Sequence, residues 1–213
     1  GEKGGGGGGG GEPWYRKFVG ADNKGYEHYM EHEWGFELHG DEELFEMLTL
    51  EGAQAGLSWA TILKKREAYR ECFDQWDIEK IARYDAKKVE WLLSPESGIV
   101  RNKAKVHATI GNAQAALKAQ EEFGSLDRFL WDLAGGGPVL NRIRSLSEAP
   151  CTSPVSEAMS KALKDRGFKF VGPTIMYAFM QATGMVVDHP VGTPQFRAAE
   201  QRLEGRAAGG AGK

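Results

Sequence analysis

One glutamate and four aromatic residues stand close together in the first third of the chain. Glu51 ends an apolar stretch and precedes a loop with two glycines. The aromatic residues stand on both sides of it in the sequence: Tyr26, Tyr29, Trp34 and Trp59. Aromatic faces attract flat and cationic molecules by stacking and cation–π interaction, and a carboxylate adds hydrogen bonds and negative charge. This combination predicts a pocket for a flat, electron-poor or cationic guest.

Each of these residues also has an ordinary structural explanation. Aromatic side chains commonly pack in a core, and a single glutamate is commonly a solvated surface acid. The case for a pocket is therefore joint: it needs the acid, the rings and a second functional segment in one small helical chain.

That second segment, residues 161–189, has the pattern of two helices joined by a tight turn. Gly167 and Gly172 flank the turn, where the backbone must bend sharply or approach another group closely. Lys169 lies within the turn, and Pro173 suits the first position of the second helix. Because backbone N–H groups at a helix N-terminus bind phosphate, this hairpin indicates DNA rather than a free metabolite.

The elements that must position these residues are predicted to be helices. Five candidate N-caps precede apolar residues at helical spacing: Asp41, Ser58, Asp77, Asp85 and Ser125. A longer helix is predicted near residues 102–122, and another begins at Pro154 or Val155. Residues 134–153, rich in Gly, Pro and Ser, predict a connecting loop. No convincing β alternation occurs, so the predicted fold class is all-α, with many short helices.

Length and composition predict one domain between two flexible ends. The chain has 213 residues, 41% of them hydrophobic, enough for a substantial core. Residues 1–13 predict a disordered glycine-rich tail, residues 14–196 a single domain, and residues 197–213 a partly disordered tail whose first half could be a short helix. No apolar run approaches the roughly 18 residues of a membrane span, and no secretory signal is recognisable. We therefore expect an intracellular protein that does not contact membranes.

The formal net charge of −3 does not favour nucleic-acid binding, so any DNA contact requires a local basic face. Ten residues are candidates for one phosphate-facing surface: Lys64, Lys65, Arg66, Arg101, Lys103, Lys105, Lys161, Lys164, Arg166 and Lys169. Cys72 and Cys151 have no metal-site spacing and are predicted to be free thiols in a reducing compartment.

A series of short motifs occurs in order between about Tyr26 and His189. They are Glu33-Trp34-Gly35, Leu44-Phe45-Glu46, Leu50-Glu51-Gly52, Gln54-Ala55-Gly56-Leu57-Ser58-Trp59, Leu63-Lys64-Lys65-Arg66, Gly98-Ile99-Val100-Arg101, Gly111-Asn112-Ala113 and Arg166-Gly167-Phe168-Lys169-Phe170-Val171-Gly172. In this order they resemble the DNA-3-methyladenine glycosylase I family of the helix-hairpin-helix DNA glycosylase superfamily. The resemblance covers most of the chain between its tails.

The resemblance implies hydrolysis of the N-glycosidic bond of 3-methyladenine in double-stranded alkylated DNA, which leaves an abasic site. It implies Glu51 as the catalytic residue and a base pocket of Tyr26, Tyr29, Trp34 and Trp59. Because a stacked base is out of reach, the nucleotide must be flipped into the pocket. Leu57 would then enter the gap in the duplex, although core packing also explains it. Further DNA contacts are expected from Arg101, Gly167, Lys169 and Gly172.

The expected reaction needs neither a strong acid nor a cofactor. 3-Methyladenine is already cationic in the nucleoside, so it leaves as a neutral base while the sugar becomes oxocarbenium-like. No lysine is placed as an amine nucleophile, so we expect a monofunctional enzyme that does not cleave the strand. We also expect a monomer, located in the nucleus or a DNA-containing organelle of a eukaryote or in the cytoplasm of a bacterium. The rival interpretation is a non-catalytic DNA- or modified-base-binding module.

Three of the family's four zinc-ligand positions depart from its pattern. The family's zinc site uses two Cys and two His, but here Met30 and Thr193 replace one His and one Cys, and Glu12 or Lys17 replaces the other Cys. Only His189 remains of the four ligands, so we predict no metal. Many superfamily members place a catalytic aspartate where Asp188 stands, and here this residue either activates water or has a structural role as a cap or ion pair.

Overall fold

The structure, a computed structural model, describes residues 11–210. These residues form α-helices α1 to α11 with the following bounds: Arg16–Val19, Lys24–His32, Asp41–Ala53, Trp59–Cys72, Ile78–Ala82, Ala86–Leu92, Lys103–Phe123, Leu126–Leu133, Pro154–Asp165, Pro173–Ala182 and Pro194–Gly210. The all-α fold class is confirmed. The glycine tail predicted at residues 1–13 lies almost wholly outside the described residues.

Helix α3 passes through the centre of the fold. Every residue from Leu44 to Ala53 is buried. Helices α4, α7, α8 and α10 all pack against it. Because α3 is buried on all sides from Leu44 onward, it carries Glu51 into a protected position near its C-terminal end.

Four of the five predicted N-caps are confirmed, because each side chain accepts a hydrogen bond from the backbone N–H three residues later. They are Ser58, Asp77, Asp85 and Ser125. The prediction for Asp41 is wrong, since Gly40 is the N-cap of α3. The Asp41 carboxylate instead accepts hydrogen bonds from the backbone N–H groups of Leu126 and Asp127, at the start of α8. Asp41 therefore joins two helices rather than capping its own.

Two departures from the predicted elements lie near the C-terminal half. The segment 134–153 is not only a loop, because β1 (Val139–Leu140) pairs in parallel with β2 (Val186–Val187). Helix α11 continues to Gly210, well beyond the short helix expected there. Within residues 11–210, no helix has both the length and the hydrophobicity to cross a bilayer.

Helices α9 and α10 form the two arms of the predicted hairpin, and residues 166–172 between them are called the hairpin turn below. Gly167 has φ +86°, a conformation that L residues with side chains rarely adopt. Phe170 has φ +56° without being glycine, so the surrounding structure must hold it in this conformation. Gly172, in contrast, has an ordinary φ of −59°, and a Cβ placed there would meet nothing within 4 Å. The fold itself does not require glycine at position 172.

Candidate active site

The structure brings the predicted acid and all four predicted aromatic residues together around one cavity of about 350 Å³. Tyr26, Tyr29, Trp34, Glu51 and Trp59 all line it. This volume lies within the roughly 300–1,000 Å³ typical of small-molecule sites. These aromatic residues therefore border a space rather than fill it, although Tyr29 and Trp34 are also buried in the adjoining core.

Three helices position four of these five side chains, and Trp34 lies two residues after the end of α2. Tyr26 and Tyr29 are three residues apart on α2 and therefore share one face, with ring centroids 6.4 Å apart. Trp59 is the first residue of α4, directly after the cap Ser58, and its ring centroid lies 5.5 Å from that of Tyr29. Glu51 comes from the buried end of α3.

The Glu51 carboxyl group is held in an environment that disfavours its charge. Glu51 is only 5% exposed, and burial raises the pKa of its carboxyl group to about 8. No hydrogen bond or neighbouring charge within the described residues offsets this effect. Because burial destabilises the carboxylate, a cation entering the cavity would favour ionisation and bind strongly to it. The site is thus suited to a positively charged ligand.

Two further polar atoms of the cavity walls lack partners. The Tyr29 hydroxyl and the Trp59 indole N–H are buried without a hydrogen bond in the described part of the chain. Burial, together with the nearby Glu51, raises the pKa of Tyr29, so its hydroxyl remains protonated and can donate. Because unsatisfied buried donors are unfavourable, these groups favour a ligand with acceptor atoms or bound water.

The wall opposite Tyr26 and Tyr29 was not predicted. It includes Thr174, Tyr177, Ala178 and Gln181 of α10. Their spacing of three, four and seven residues places them on one helical face, a signal that the sequence already contained. Phe18 and Gln54 also line the cavity, but no sequence pattern distinguishes Phe18 from an ordinary apolar residue.

Asp188 lies behind this wall and is fully buried. Its carboxylate accepts hydrogen bonds from the Tyr177 hydroxyl at 2.6 Å, Gln181 Nε2 at 2.9 Å and Asn141 Nδ2 at 2.8 Å. Asp188 does not line the cavity. This arrangement supports a structural role, in which the carboxylate orients two side chains of the cavity wall, over the activation of water.

The positions of the family's zinc ligands do not fit a metal here. Met30 is buried, and the Thr193 hydroxyl donates to the carbonyl of Pro190. His189 Nε2 lies 2.8 Å from the carbonyl oxygen of Trp34, which can only accept, so this nitrogen carries the proton. Within residues 11–210, no group of three or more His, Cys, Asp or Glu residues could hold an ion.

Aromatic rings occupy this junction between the two ends of the domain. The Trp14 ring centroid lies 5.8 Å from that of Trp34 and 6.1 Å from that of His189. Trp34 and His189 are 5.3 Å apart, and a Cβ on Gly35 would stand only 2.6 Å from the His189 ring. Aromatic packing therefore joins the two ends of the domain at this point.

The predicted DNA contacts lie on the surface. Leu57 is 40% exposed in residues 54–58, called the wedge loop below. Arg101, Gly167 and Lys169 are exposed, and Gly172 is half-buried. An exposed leucine excludes the interpretation that Leu57 is a core residue.

The predicted phosphate-facing surface is smaller than expected, because several of its ten members bind groups of the protein itself. Arg66 pairs with Glu33 and Glu46, and Arg166 pairs with Glu122. The remaining contacts of this kind are Lys65 to the Gly98 carbonyl, Lys161 to Asp165, and Lys105 to the Ala53 and Ala55 carbonyls. Lys64, Arg101, Lys103, Lys164 and Lys169 remain as exposed candidates.

A chemical test of the cavity is available at Cys151. This exposed cysteine lines the cavity, whereas Cys72 is buried and burial raises the pKa of its thiol. We expect N-ethylmaleimide to modify Cys151 selectively and to lower the base excision predicted from the sequence at least about fivefold by obstructing entry. Base release before and after labelling measures the effect, and a Cys151→Ser protein should resist inhibition. Full activity of the labelled protein would place the reaction elsewhere.

The all-α fold, built around a cavity with aromatic walls and one carboxyl group, is that of a DNA glycosylase. The family model described as methyladenine glycosylase matches residues 19–197. The chain therefore belongs to the methyladenine glycosylase family.

Individual relatives agree with this assignment. The chain is 48% identical to DNA-3-methyladenine glycosylase 1 of Escherichia coli K12 over 164 residues, which are 77% of this chain and 87% of the relative. A crystal structure of a 3-methyladenine DNA glycosylase I is similar with a TM-score of 0.77 at 46% identity, covering 82% of this chain and 95% of that one. The 3-methyladenine DNA glycosylase I of Staphylococcus aureus gives a TM-score of 0.80 at 35% identity, covering 85% and 96%.

Proposed function

We propose that this methyladenine glycosylase removes 3-methyladenine from alkylated double-stranded DNA by hydrolysing the N-glycosidic bond, as the first step of base excision repair. The observation that carries the proposal is the buried Glu51 carboxyl inside an aromatic cavity that suits a cationic base. The solved structure of the Staphylococcus aureus relative concerns 3-methyladenine recognition, which supports the choice of base.

Base recognition follows from the charges and surfaces of the cavity. The rings of Tyr29 and Trp59 offer stacking and cation–π attraction to the flipped base. Glu51 supplies a carboxylate to the cation and accepts a hydrogen bond from the exocyclic amino group. Unmodified adenine has no positive charge to compensate the burial of this carboxylate, so the cavity discriminates against it. Specificity therefore comes from the charge of the lesion as well as from its shape.

Bond cleavage then needs stabilisation of charge rather than protonation. The electron pair of the C1′–N9 bond moves to the base, which leaves neutral, and the positive charge moves to the sugar. Water adds to the sugar carbon and loses a proton, which leaves an abasic site. The Glu51 carboxylate lies in a low-dielectric cavity, so it stabilises the cation at the sugar more strongly than it would in water.

Two surface elements would hold the duplex while the base is flipped. The exposed Leu57 is available to enter the gap that the flipped nucleotide leaves. The hairpin turn offers backbone N–H groups to a phosphate and carries the exposed cation Lys169, and Arg101 is a second exposed cation. The open space at Gly172 supports this role, because the missing side chain leaves room for a group outside the protein.

The Leu57 side chain gives a direct prediction. We expect Leu57→Ala to lower the single-turnover rate of excision from duplex DNA about tenfold, since the flipped state loses an apolar contact inside the duplex. Binding of the free base should not change, because Leu57 does not line the cavity. Val155→Ala, at another exposed apolar residue, is the matched control and should behave like the wild type. An unchanged excision rate in Leu57→Ala would contradict the wedge role.

The proposed activity is tested by incubating the protein with methylated duplex DNA and measuring free 3-methyladenine by chromatography. The assay is run with and without a chelator, and we expect equal rates because the zinc positions do not fit a metal. A non-catalytic base-binding module would bind the same DNA without releasing base. That result would refute the proposed activity, and loss of activity on chelation would refute the metal-free mechanism.

A further inference from the structure

Two polar side chains on α7 bind backbone groups of the two surface elements described above. Lys105 Nζ donates hydrogen bonds to the carbonyl oxygens of Ala53, at 2.9 Å, and Ala55, at 2.6 Å. Ala53 ends α3 two residues after Glu51. An ammonium group at the C-terminus of a helix satisfies free carbonyls and opposes the negative end of the helix dipole. Lys105 therefore anchors the start of the wedge loop.

Asn112 makes the equivalent contact with the hairpin turn. Its Oδ1 accepts a hydrogen bond from the Lys169 backbone N–H at 2.8 Å, and its Nδ2 donates to the Lys169 carbonyl at 3.0 Å. Asn112 is only 5% exposed. Because one side-chain amide satisfies both backbone groups of Lys169, the turn is held at a single position relative to α7. The strained Phe170 follows directly.

Lys105 and Asn112 both lie close to α3, the helix that carries Glu51. Lys105 and Asn112 are seven residues apart, which is two helical turns, or about 10 Å along the axis of α7. Between them a narrow cavity is lined by Gly52, Ala53 and Phe170. A Cβ on Gly52 would lie 3.1 Å from Phe170 Cβ, so α3 and the hairpin turn are in close contact beside Glu51.

We propose that Lys105 and Asn112 are positioning residues that hold the wedge loop and the hairpin turn at a fixed separation on α7, so that Leu57 enters the duplex in register with the phosphates bound by the hairpin. This inference rests on the proposed DNA contacts of Leu57 and the hairpin turn. It assigns Lys105 a different role from the phosphate contact predicted from the sequence, because its ammonium group faces two protein carbonyls.

The first experiment separates an anchor from a phosphate contact at Lys105. We expect Lys105→Met to lower single-turnover excision about tenfold, with free 3-methyladenine binding unchanged and with the same dependence of duplex binding on salt. Loss of a phosphate contact would instead reduce the salt dependence of duplex binding. The slope of the logarithm of the binding constant against the logarithm of the salt concentration would fall by about 1 in magnitude. Lys118→Met removes an exposed charge from the same helix and should leave excision unchanged. A reduced slope in Lys105→Met would overturn the proposal.

The second experiment asks whether Lys105 acts through Leu57. In the Leu57→Ala background, adding Lys105→Met should cause no further loss of excision, since the residue that it positions is gone. If the double variant instead loses about 100-fold, the product of the two single losses, the positioning role of Lys105 would be overturned. The wedge role of Leu57 would still stand. No loss in Leu57→Ala alone would instead refute the proposed wedge. If Lys105→Met does not fold, Lys105→Gln replaces it in the cycle. Its amide keeps a donor but not the positive charge, so we expect a smaller loss, which should again be absent in the Leu57→Ala background.

Asn112 is tested by binding to a duplex with an abasic site. Asn112→Asp keeps an acceptor for the Lys169 N–H but places a carboxylate oxygen against the Lys169 carbonyl. We expect duplex affinity to fall about tenfold while free-base binding is unchanged. Asn112→Ser has a smaller side chain with no second oxygen to repel the Lys169 carbonyl. It should therefore lose less duplex affinity than Asn112→Asp. Wild-type duplex affinity in both folded variants would overturn the role of Asn112.

Discussion

Glu51→Gln is expected to lower kcat/KM for 3-methyladenine excision at least about 100-fold. The substitution keeps the size of the side chain and a hydrogen-bonding carbonyl but removes the negative charge. Electrostatic groups aimed at charge in a transition state typically contribute 10²–10³ in rate when one is removed. Single-turnover base release measures the effect. Glu121→Gln, at an exposed position of α7, removes the same charge elsewhere and should leave the rate unchanged.

The same substitution should stabilise the protein at alkaline pH. Burial raises the pKa of Glu51 to about 8 from an ordinary 4.5, so the folded state holds this proton more tightly than the unfolded state does. The stability from the neutral carboxyl is complete below pH 4.5 and is lost as the pH rises through about 8. Glu51→Gln avoids that loss, which we expect to be of the order of a few kcal/mol.

Thermal melting from pH 4.5 to 9 checks this expectation. The melting temperatures of the wild type and Glu51→Gln should differ more at pH 8 than at pH 5. For catalysis, kcat/KM of the wild type should rise with pH towards about 8, because the ionised carboxyl is the active form. A pH-independent melting difference would show that Glu51 ionises normally, and the electrostatic basis of the mechanism would then be wrong.

Trp59→Leu is expected to lower kcat/KM about 10- to 100-fold. The indole ring forms one wall of the cavity beside Tyr29, and stacking of a base on an aromatic side chain contributes about 1–3 kcal/mol. Leucine keeps apolar volume but has no ring face and no cation–π attraction. The affinity for free 3-methyladenine, measured by calorimetry, should fall by a similar factor, because the base itself loses the contact.

The control for this variant is Trp91→Leu, which changes an exposed tryptophan on α6 that does not line the cavity. It should bind the base and excise it like the wild type. Because Trp59 is the first residue of α4, its replacement could also destabilise the fold. Melting curves distinguish that effect from loss of the base contact. If a folded Trp59→Leu protein kept the wild-type affinity for the base, Trp59 would not be part of the base pocket.

The acid and the aromatic residues were predictable because their chemistry is carried by residue type. Glu51 and Trp59 are close in sequence, and an acid with several rings suits a cationic guest when the fold brings them together. The opposite wall was not predicted, because the role of Tyr177 and Gln181 depends on which face of α10 packs towards α2 and α3. That choice is made by tertiary packing, although the helical spacing of these residues was visible.

Asp41 and Lys105 show where local patterns fail. An aspartate before an apolar helix is a good cap candidate, and yet the Asp41 carboxylate binds N–H groups more than eighty residues away, at the start of α8. Lys105 belongs to a basic run that suggests phosphate, and yet its ammonium group binds carbonyls. A sequence pattern reports the neighbours along the chain, whereas both of these partners come from other elements.

The aromatic junction of Trp14, Trp34 and His189 has a consequence for the order in which the enzyme becomes active during synthesis. Every side chain of the cavity is translated by Gln181, but the hydrogen bond to the Trp34 carbonyl and one of the two ring contacts of Trp34 come from His189. A nascent chain ending at residue 185 would hold the complete set of cavity residues with one wall unsupported. Full support of the cavity wall therefore waits until residues up to His189 have left the ribosome.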